Sequence, residues 1–187
     1  TMKDGSVPGS VGPVLPNVEL EIIDESGQPV AQGEVGEIRV RGATVMQGYW
    51  NKADATAEIL SAEGWLRTGD LGHLDEKGRL FISAGRIKDL IIRAGENVSP
   101  LAIENALMSH PAIAEVAAVG IADDRVGEKV KVFAVLRQGE KTTEQELKEL
   151  CRQKLPAFMT PDLFQFMESL PKTATGKILK GELRLIG

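Results

Sequence analysis

Apolar positions along this chain keep two different rhythms, and the change falls near residue 85. Upstream they alternate. Val18-Glu19-Leu20-Glu21-Ile22-Ile23 has the period of two that predicts a half-buried strand. Asp24 to Pro29 is turn chemistry, and Gly33 to Gly42 is a second alternating strand with Ile38 and Val40 on one face. Trp65-Leu66-Arg67 reads as a strand running into a tight, Gly-flanked turn at Gly69-Asp70-Leu71-Gly72. Asp75 to Gly78 is a hairpin turn, and Leu80 to Ser83 is the next strand. A short helix is predicted from Asp54 to Leu60, and Tyr49 and Trp50 before it are expected in the core. Thr1 to Gly12, rich in Gly, Ser and Pro, reads as a loop or a cut end. These segments suggest antiparallel β structure, part of a barrel.

Downstream, helices and strands take turns. Ser99 and Pro100 open a helix to about Ser109, with Ser99 as N-cap and Pro100 at the first helical position. Val116 to Ile121 is a buried strand, Asp123 to Glu128 a loop, and Lys129 to Leu136 an alternating strand. Thr143 to Leu155 is an amphipathic helix, with Leu147, Leu150 and Cys151 on one side and a capping box of Thr143 and Glu146. One more strand lies within Pro161 to Leu170, and a last helix begins near Ile178. The downstream half is therefore a small α/β or α+β domain.

Composition narrows the function classes. The 187 residues suffice for one ordinary domain or two small ones, and 42% apolar content allows a sizeable core. A net charge of −5 argues against a general nucleic-acid binder. Cys151 is the one cysteine, which excludes an intrachain disulfide and a Cys-based zinc site, and His73 and His110 lack metal-ligand spacing. No metal ligand is assigned. The longest apolar run, around Val116 to Ala122, is too short to span a bilayer, and no signal peptide is visible. A soluble, reducing, cytoplasmic setting is expected.

Three stretches carry candidate chemistry. Gly85-Arg86-Ile87-Lys88-Asp89-Leu90-Ile91-Ile92-Arg93-Ala94-Gly95-Glu96-Asn97 is basic at one end and small at the other, and joins the two unlike halves; it reads as a hinge. Asp70 is either a turn former or a pair of acceptors for two neighbouring hydroxyls, as on a ribose. Leu170 to Ile178 places hydroxyls, a glycine and the lysines Lys172 and Lys177 ahead of a helix, where amides attract anions. Read alone it is also an exposed turn with a solvated lysine. It is not a Walker P-loop: Pro171 stands at the first glycine and Ile178 at the magnesium-holding hydroxyl.

Gly-Tyr-Trp-Asn at 48–51, Gly-Trp-Leu-Arg-Thr-Gly-Asp at 64–70, Gly-Arg-Ile-Lys-Asp at 85–89, Gly-Glu-Asn at 95–97 and Pro-Lys-Thr-Ala-Thr-Gly-Lys at 171–177 occur in order. In that order and spacing the chain resembles the adenylate-forming superfamily, which includes acyl-CoA synthetases, peptide-synthetase adenylation domains and luciferases. The resemblance implies an α/β (α+β) fold: a distorted antiparallel β subdomain of a large N-terminal domain over residues 1–84, a hinge at 85–89 and a small C-terminal α/β domain over 90–187. It implies ATP-dependent activation of a small-molecule carboxylic acid to an acyl-adenylate, then transfer to the thiol of CoA. By the same resemblance Asp70 would accept from both ribose hydroxyls, Arg86 would contact ribose or phosphates, and Lys88 would be the pivot. Lys177 would be the catalytic lysine bridging the α-phosphate and the carboxylate, and Ala94 and Gly95 would lie along the path of the pantetheine arm.

Some of the family's parts are not here. Its phosphate loop, its magnesium-holding glutamate and much of its acyl pocket lie upstream of these residues. The Mg2+ ligand is therefore expected outside this chain, the missing N-terminal portion is an expected partner, and the chain alone is expected to be inactive. Leu80 to Ala84 runs one residue longer than usual, and Ile92 replaces a lysine of luciferase-like members, which argues against light emission. The Gly-Glu-Asn run resembles the CoA-using branch. Loading of a carrier protein, against which the lack of a carrier domain after Gly187 counts, and a non-catalytic interaction remnant are the alternatives.

Overall fold

The computed structural model of the chain describes residue 7 and residues 9–186. It divides into two compact units, Thr1–Lys88 and Asp89–Gly187.

The first unit is a five-stranded antiparallel sheet. Its strands are β1 (Ser10–Pro13), β2 (Val18–Ile23), β3 (Gly36–Gly42), β4 (Leu66–Leu74) and β5 (Arg79–Arg86), in the spatial order β1-β5-β4-β3-β2. The sheet is open among the described residues, with β1 and β2 as its edges. Most of the expected loop Thr1 to Gly12 lies outside the described residues, but Ser10 onward pairs with β5 as an edge strand. The two hairpin turns are built as expected. Asp24 Oδ1 accepts from the Gln28 amide, and Asp75 Oδ1 accepts from the amides of Lys77 and Arg79. Opposite charges face each other across β2 and β3, Glu21 with Arg39 and Glu19 with Arg41, and both guanidiniums sit over the Trp65 ring.

Two expectations for this unit need correction. Tyr49 and Trp50 are 50% and 89% exposed instead of packed in the core. Their segment is fixed by its own polar contacts, which turn the rings outward. The Tyr49 amide donates to Thr56 Oγ1, and that hydroxyl donates to the Lys52 carbonyl. This closes a loop onto the one-turn helix α1 (Ala53–Ala57). The Gly-flanked turn around Asp70 is not a turn either, because β4 runs through it. Glu37 pairs with Leu71 and Arg39 with Arg67, so two steps on β3 face four on β4. On the other side Leu71 pairs with Gly85 and Gly72 with Ile82, so one step on β4 faces three on β5. These β-bulges absorb Asp70 on one strand and the long Leu80 to Ala84 run on the other.

The second unit is built around β9 (Gly127–Leu136). β8 (Ile113–Asp123) pairs antiparallel along one edge and β10 (Leu163–Phe166) parallel along the other. The small hairpin of β6 (Ile91–Arg93) and β7 (Glu96–Val98) joins at the start of β9 through Arg93 and Gly127. The expected loop from Asp123 is only the tight tip of the β8–β9 hairpin. Alternation along β8 and β9 makes two apolar faces. Val116, Ala118, Val130, Val132 and Ala134 face a core completed by Ile103 and Leu107 of α2 (Pro100–Met108) and by Leu147 and Cys151 of α3 (Glu144–Lys154). Ala117, Val119 and Phe133 face the other way, against Leu170 and against Leu183 of α4 (Lys180–Leu185). Both helix starts follow the sequence. Ser99 Oγ accepts from the Ala102 amide, and Thr143 and Glu146 form a reciprocal capping box. That box holds the Glu146 carboxyl below its usual range, chiefly through the Thr143 amide. Among the described residues no helix is long and apolar enough to cross a membrane.

Candidate functional site

Asp70 and Arg86 come together because the bulged register sets them opposite each other on β4 and β5. Arg86 Nε lies 3.1 Å from Asp70 Oδ1, and the side chains are half-exposed, at 51% and 34%. The aspartate backbone is held from beneath. Its amide donates to Thr68 Oγ1 at 3.1 Å, and the Thr68 hydroxyl donates to the Ile38 carbonyl at 2.7 Å. The result is an exposed carboxylate next to a guanidinium on a fixed backbone, which suits a vicinal diol carrying an anionic group.

Beyond β5 the chain makes a single 3-10 turn, Ile87–Asp89, with Lys88 exposed in its middle. Asp89 is already held by the second unit, 3.3 Å from a terminal nitrogen of Arg184 on α4.

Ala94 and Gly95 form the two-residue turn of the β6–β7 hairpin, with φ of 51° and 85°. Both angles are left-handed, and a hairpin of this length demands them. Ala94 therefore bears a strain that glycine would not. Arg93, which the sequence did not single out, clamps this turn. Its guanidinium donates to the carbonyls of Phe158 and Thr160 and pairs with Asp162 at 2.7 Å. The other oxygen of Asp162 accepts from the Val130 amide at 2.9 Å. No signal in the sequence connects these residues, because the partners are about seventy positions apart.

Lys177 is exposed, and its setting differs from expectation. Helix α4 begins only at Lys180, so the lysine is not at a helix start. Its loop is a small hairpin bridged by Lys172 and Ile178. Two of its amides are consumed internally: Gly176 donates to the Thr173 carbonyl, and Lys177 to Thr173 Oγ1. The side chain is thus the cationic feature of the loop, not the backbone. Two ion pairs flank it, Lys172 with Glu115 on β8 and Lys180 with Glu104 on α2, each at 2.7 Å.

Within the second unit the structure does not bring Lys177 and Ala94-Gly95 together. The Ala94 turn leans on the start of β9, where the Ala94 amide donates to Val126 and Arg93 pairs with Gly127. The Lys177 loop is tied to Glu115, which pairs with Val135 near the end of β9. Val135 lies eight positions beyond Gly127, roughly 26 Å at about 3.3 Å per residue. One compact unit therefore carries a cationic loop at one end and a narrow, small-residue turn at the other.

Comparison with known proteins places the chain. It matches the AMP-binding enzyme C-terminal domain over residues 102–177 and the AMP-binding enzyme family over residues 1–50. It is 45% identical to the long-chain-fatty-acid–CoA ligase of Bacillus subtilis (strain 168), across 94% of this chain and 31% of that protein. The chain thus spans about a third of the length of such relatives. ATP-bound MatB from Rhodopseudomonas palustris superposes with a TM-score of 0.90 at 34% identity, over 98% of this chain and 37% of that one. The o-succinylbenzoate CoA synthetase MenE from Bacillus subtilis, in complex with the acyl-adenylate intermediate OSB-AMP, superposes at 0.87 with 37% identity, over 94% and 35%. The chain belongs to the AMP-binding, adenylate-forming enzyme family, and its second unit carries that family's C-terminal domain.

Proposed function

We propose that this chain is the C-terminal part of an AMP-forming carboxylate–CoA ligase. Such a ligase converts acid and ATP to acyl-AMP and pyrophosphate, then acyl-AMP and CoA to acyl-CoA and AMP. The observation that carries this reading is the separation of Lys177 and Ala94-Gly95 along β9. The first step brings a carboxylate to a phosphate, two anions, and a positioned cation lowers that barrier most. The second step needs no such cation; it needs a narrow approach for a thiol. Two ends of one rigid unit serving one reaction centre in turn require that unit to rotate between steps. The division of the chain between Lys88 and Asp89, and the anchoring of Asp89 to α4, support Lys88 as the pivot.

In this scheme Asp70 accepts hydrogen bonds from the ribose diol, and Arg86 holds the aspartate while facing ribose or phosphate. Lys177 bridges the α-phosphate and the attacking carboxylate, then withdraws as the unit turns. Ala94 and Gly95 then border the pantetheine arm, where absent side-chain bulk permits close backbone approach. Magnesium, which neutralises phosphate charge in this chemistry, is assigned to ligands of the upstream portion. The Bacillus relative makes a fatty acid the first substrate to test, and the cytoplasm is the setting expected from the sequence.

The test joins residues 1–187 to the upstream two-thirds of the Bacillus subtilis ligase in place of that enzyme's own C-terminal third. The chimera is expected to catalyse ATP–pyrophosphate exchange with a fatty acid and to form its CoA thioester, while the 187-residue chain alone does neither. Chimeras that fold but show no exchange, with several junctions tried, overturn the reading. Acyl transfer to a carrier protein or an amine in preference to CoA overturns only the choice of acceptor.

A further inference from the structure

We propose that Glu37 is a positioning residue for Asp70, holding it where the ribose is recognised; this rests on the ligase reading above. Opposite Glu37–Arg39, β4 carries two residues more than the ladder can pair. Such a bulge leaves amides without ladder partners, and a free amide on a sheet lets the strand slide or fray. Here the amides of Gly69 and Asp70 are taken up. Gly69 donates to Glu37 Oε1 at 3.1 Å, and Asp70 donates to Thr68 Oγ1, which is itself fixed to the Ile38 carbonyl. Glu37 Oε2 accepts from Arg67 Nε at 2.8 Å and from a terminal nitrogen of the same guanidinium. One carboxylate thus grips the chain at Arg67 and at Gly69, and Asp70 is the first residue beyond the grip.

The cost of this arrangement is what makes it informative. Glu37 is 6% exposed, the one carboxylate-bearing residue among the buried described residues, and a buried carboxylate is retained only when its oxygens are fully used. A neutral or apolar residue would suit a plain ladder position on β3. Gly69 also holds a φ of 73°, a left-handed angle that glycine supplies. The bulge, the buried acid and the left-handed glycine converge on a single outcome, an Asp70 side chain that meets Arg86 at 3.1 Å.

The test has two arms. In the 187-residue chain, Glu37→Gln puts an amide group where only acceptors fit. Hydrogen exchange of the Gly69 amide is expected to quicken by roughly tenfold or more, with protection in the second unit unchanged; unchanged Gly69 protection overturns the anchoring. In the chimeric ligase, kcat/KM is measured with ATP and with 2′,3′-dideoxy-ATP, a deoxy nucleotide that lacks both hydroxyls of the diol. A positioning role predicts that Glu37→Gln lowers the value for ATP by roughly tenfold or more and hardly changes it for the deoxy nucleotide, as Asp70→Asn should. Equal losses with both nucleotides mean a merely structural role and overturn the proposal. Glu37→Asp, which keeps the charge for Arg67 and shortens the reach to Gly69, replaces Glu37→Gln where the latter folds poorly, and must shift the ratio the same way. A wild-type chimera without exchange activity overturns the ligase reading and this role with it; an active chimera with an unmoved ratio overturns this role alone.

Discussion

Lys180 reaches Glu104 at 2.7 Å, and the same carboxylate oxygen accepts the Ala118 amide at 2.9 Å. One atom of α2 therefore ties the first residue of α4 to the middle of β8, three positions after Lys177. The other flank of the loop is held by Lys172 and Glu115, also at 2.7 Å. Burial decides which tie matters. The Lys180–Glu104 side chains are 19% and 16% exposed, those of Lys172–Glu115 38% and 35%. Water screens the outer pair, which is worth at most about 1 kcal/mol. Removing Glu104 strands a partly buried ammonium and an amide. Glu104→Ala is expected to cost the second unit about 2 kcal/mol or more, and Lys172→Ala less than about 1 kcal/mol. Urea unfolding of the two variants checks the order; equal losses would contradict it.

Lys177 should show the opposite profile. Its side chain is exposed and its loop is closed by backbone and threonine contacts. Lys177→Ala is therefore expected to leave stability within about 0.5 kcal/mol. In the chimeric ligase it should lower adenylate formation by roughly a hundredfold or more, while largely sparing thioester formation from supplied acyl-adenylate. Pyrophosphate exchange and a thioester assay on the same preparations separate the two steps. Equal loss in both would argue against a lysine that acts and then withdraws.

Lys88→Pro is expected to reverse that pattern. Lys88 sits in a 3-10 turn, whose φ of about −50 to −70° proline's ring can adopt. In the proposed scheme adenylation should survive, whereas the turn to the second pose, which would need a change in the Lys88 backbone angle that the ring forbids, should not, so the thioester step should fall. An unaffected second step would remove Lys88 as the pivot.

The second unit was largely legible because its signals are local. Ser99-Pro100 and the Thr143–Glu146 box mark helix starts through contacts three residues long, and these are the contacts found. The first unit was legible as strands but not as a register. A glycine-flanked aspartate signals a turn, and only the neighbouring strands decide that Asp70 lies in a bulge. Trp50 misled for a similar reason: apolarity does not say which way a loop projects its rings. The Lys177 loop was found, but its form hinged on the Lys172–Ile178 bridge, which competes with the helix the hydroxyls and glycine suggested. Glu37, Arg93 and Glu104 were not legible at all. Each acts through partners far along the chain, and an isolated charge in a strand or helix reads as a solvated face.

Gly72 tests the register directly. A Cβ there would lie 2.6 Å from the Phe81 carbonyl oxygen and 2.8 Å from Ile38 Cδ1. The first obstacle is backbone of β5 and the second a buried side chain of β3, so neither can step aside without moving the sheet. Gly72→Ala should destabilise the first unit by about 2 kcal/mol or more. By contrast, Gly78→Ala meets no atom within 4 Å and is strained only by its φ of 69°, a cost of about 1 kcal/mol. Amide hydrogen exchange in β3 and β4 reads both; a larger effect at Gly78 would mean that the described register is wrong.

Cys151 gives the second unit a pH dependence of definite sign. It is fully buried on the inner face of α3, and burial alone pushes its thiol from 9.0 up to about 11. Between these values the unfolded chain sheds the proton and the folded chain keeps it. The unfolded state then binds fewer protons, so stability falls as pH rises from about 9 to 11 and is untouched by this group below that window. The difference is on the order of 2 kcal/mol by the upper end. The measurement is the gap between wild type and Cys151→Ala followed by urea unfolding across pH 8 to 11. Alanine loses packing equally at every pH, and the gap should therefore narrow as pH rises. In parallel, a thiol reagent at pH 8 should label Cys151 no faster than the second unit opens, because the thiolate is the reactive form and the folded core suppresses it. Prompt labelling of the native chain, or a gap that widens with pH, would refute the assignment.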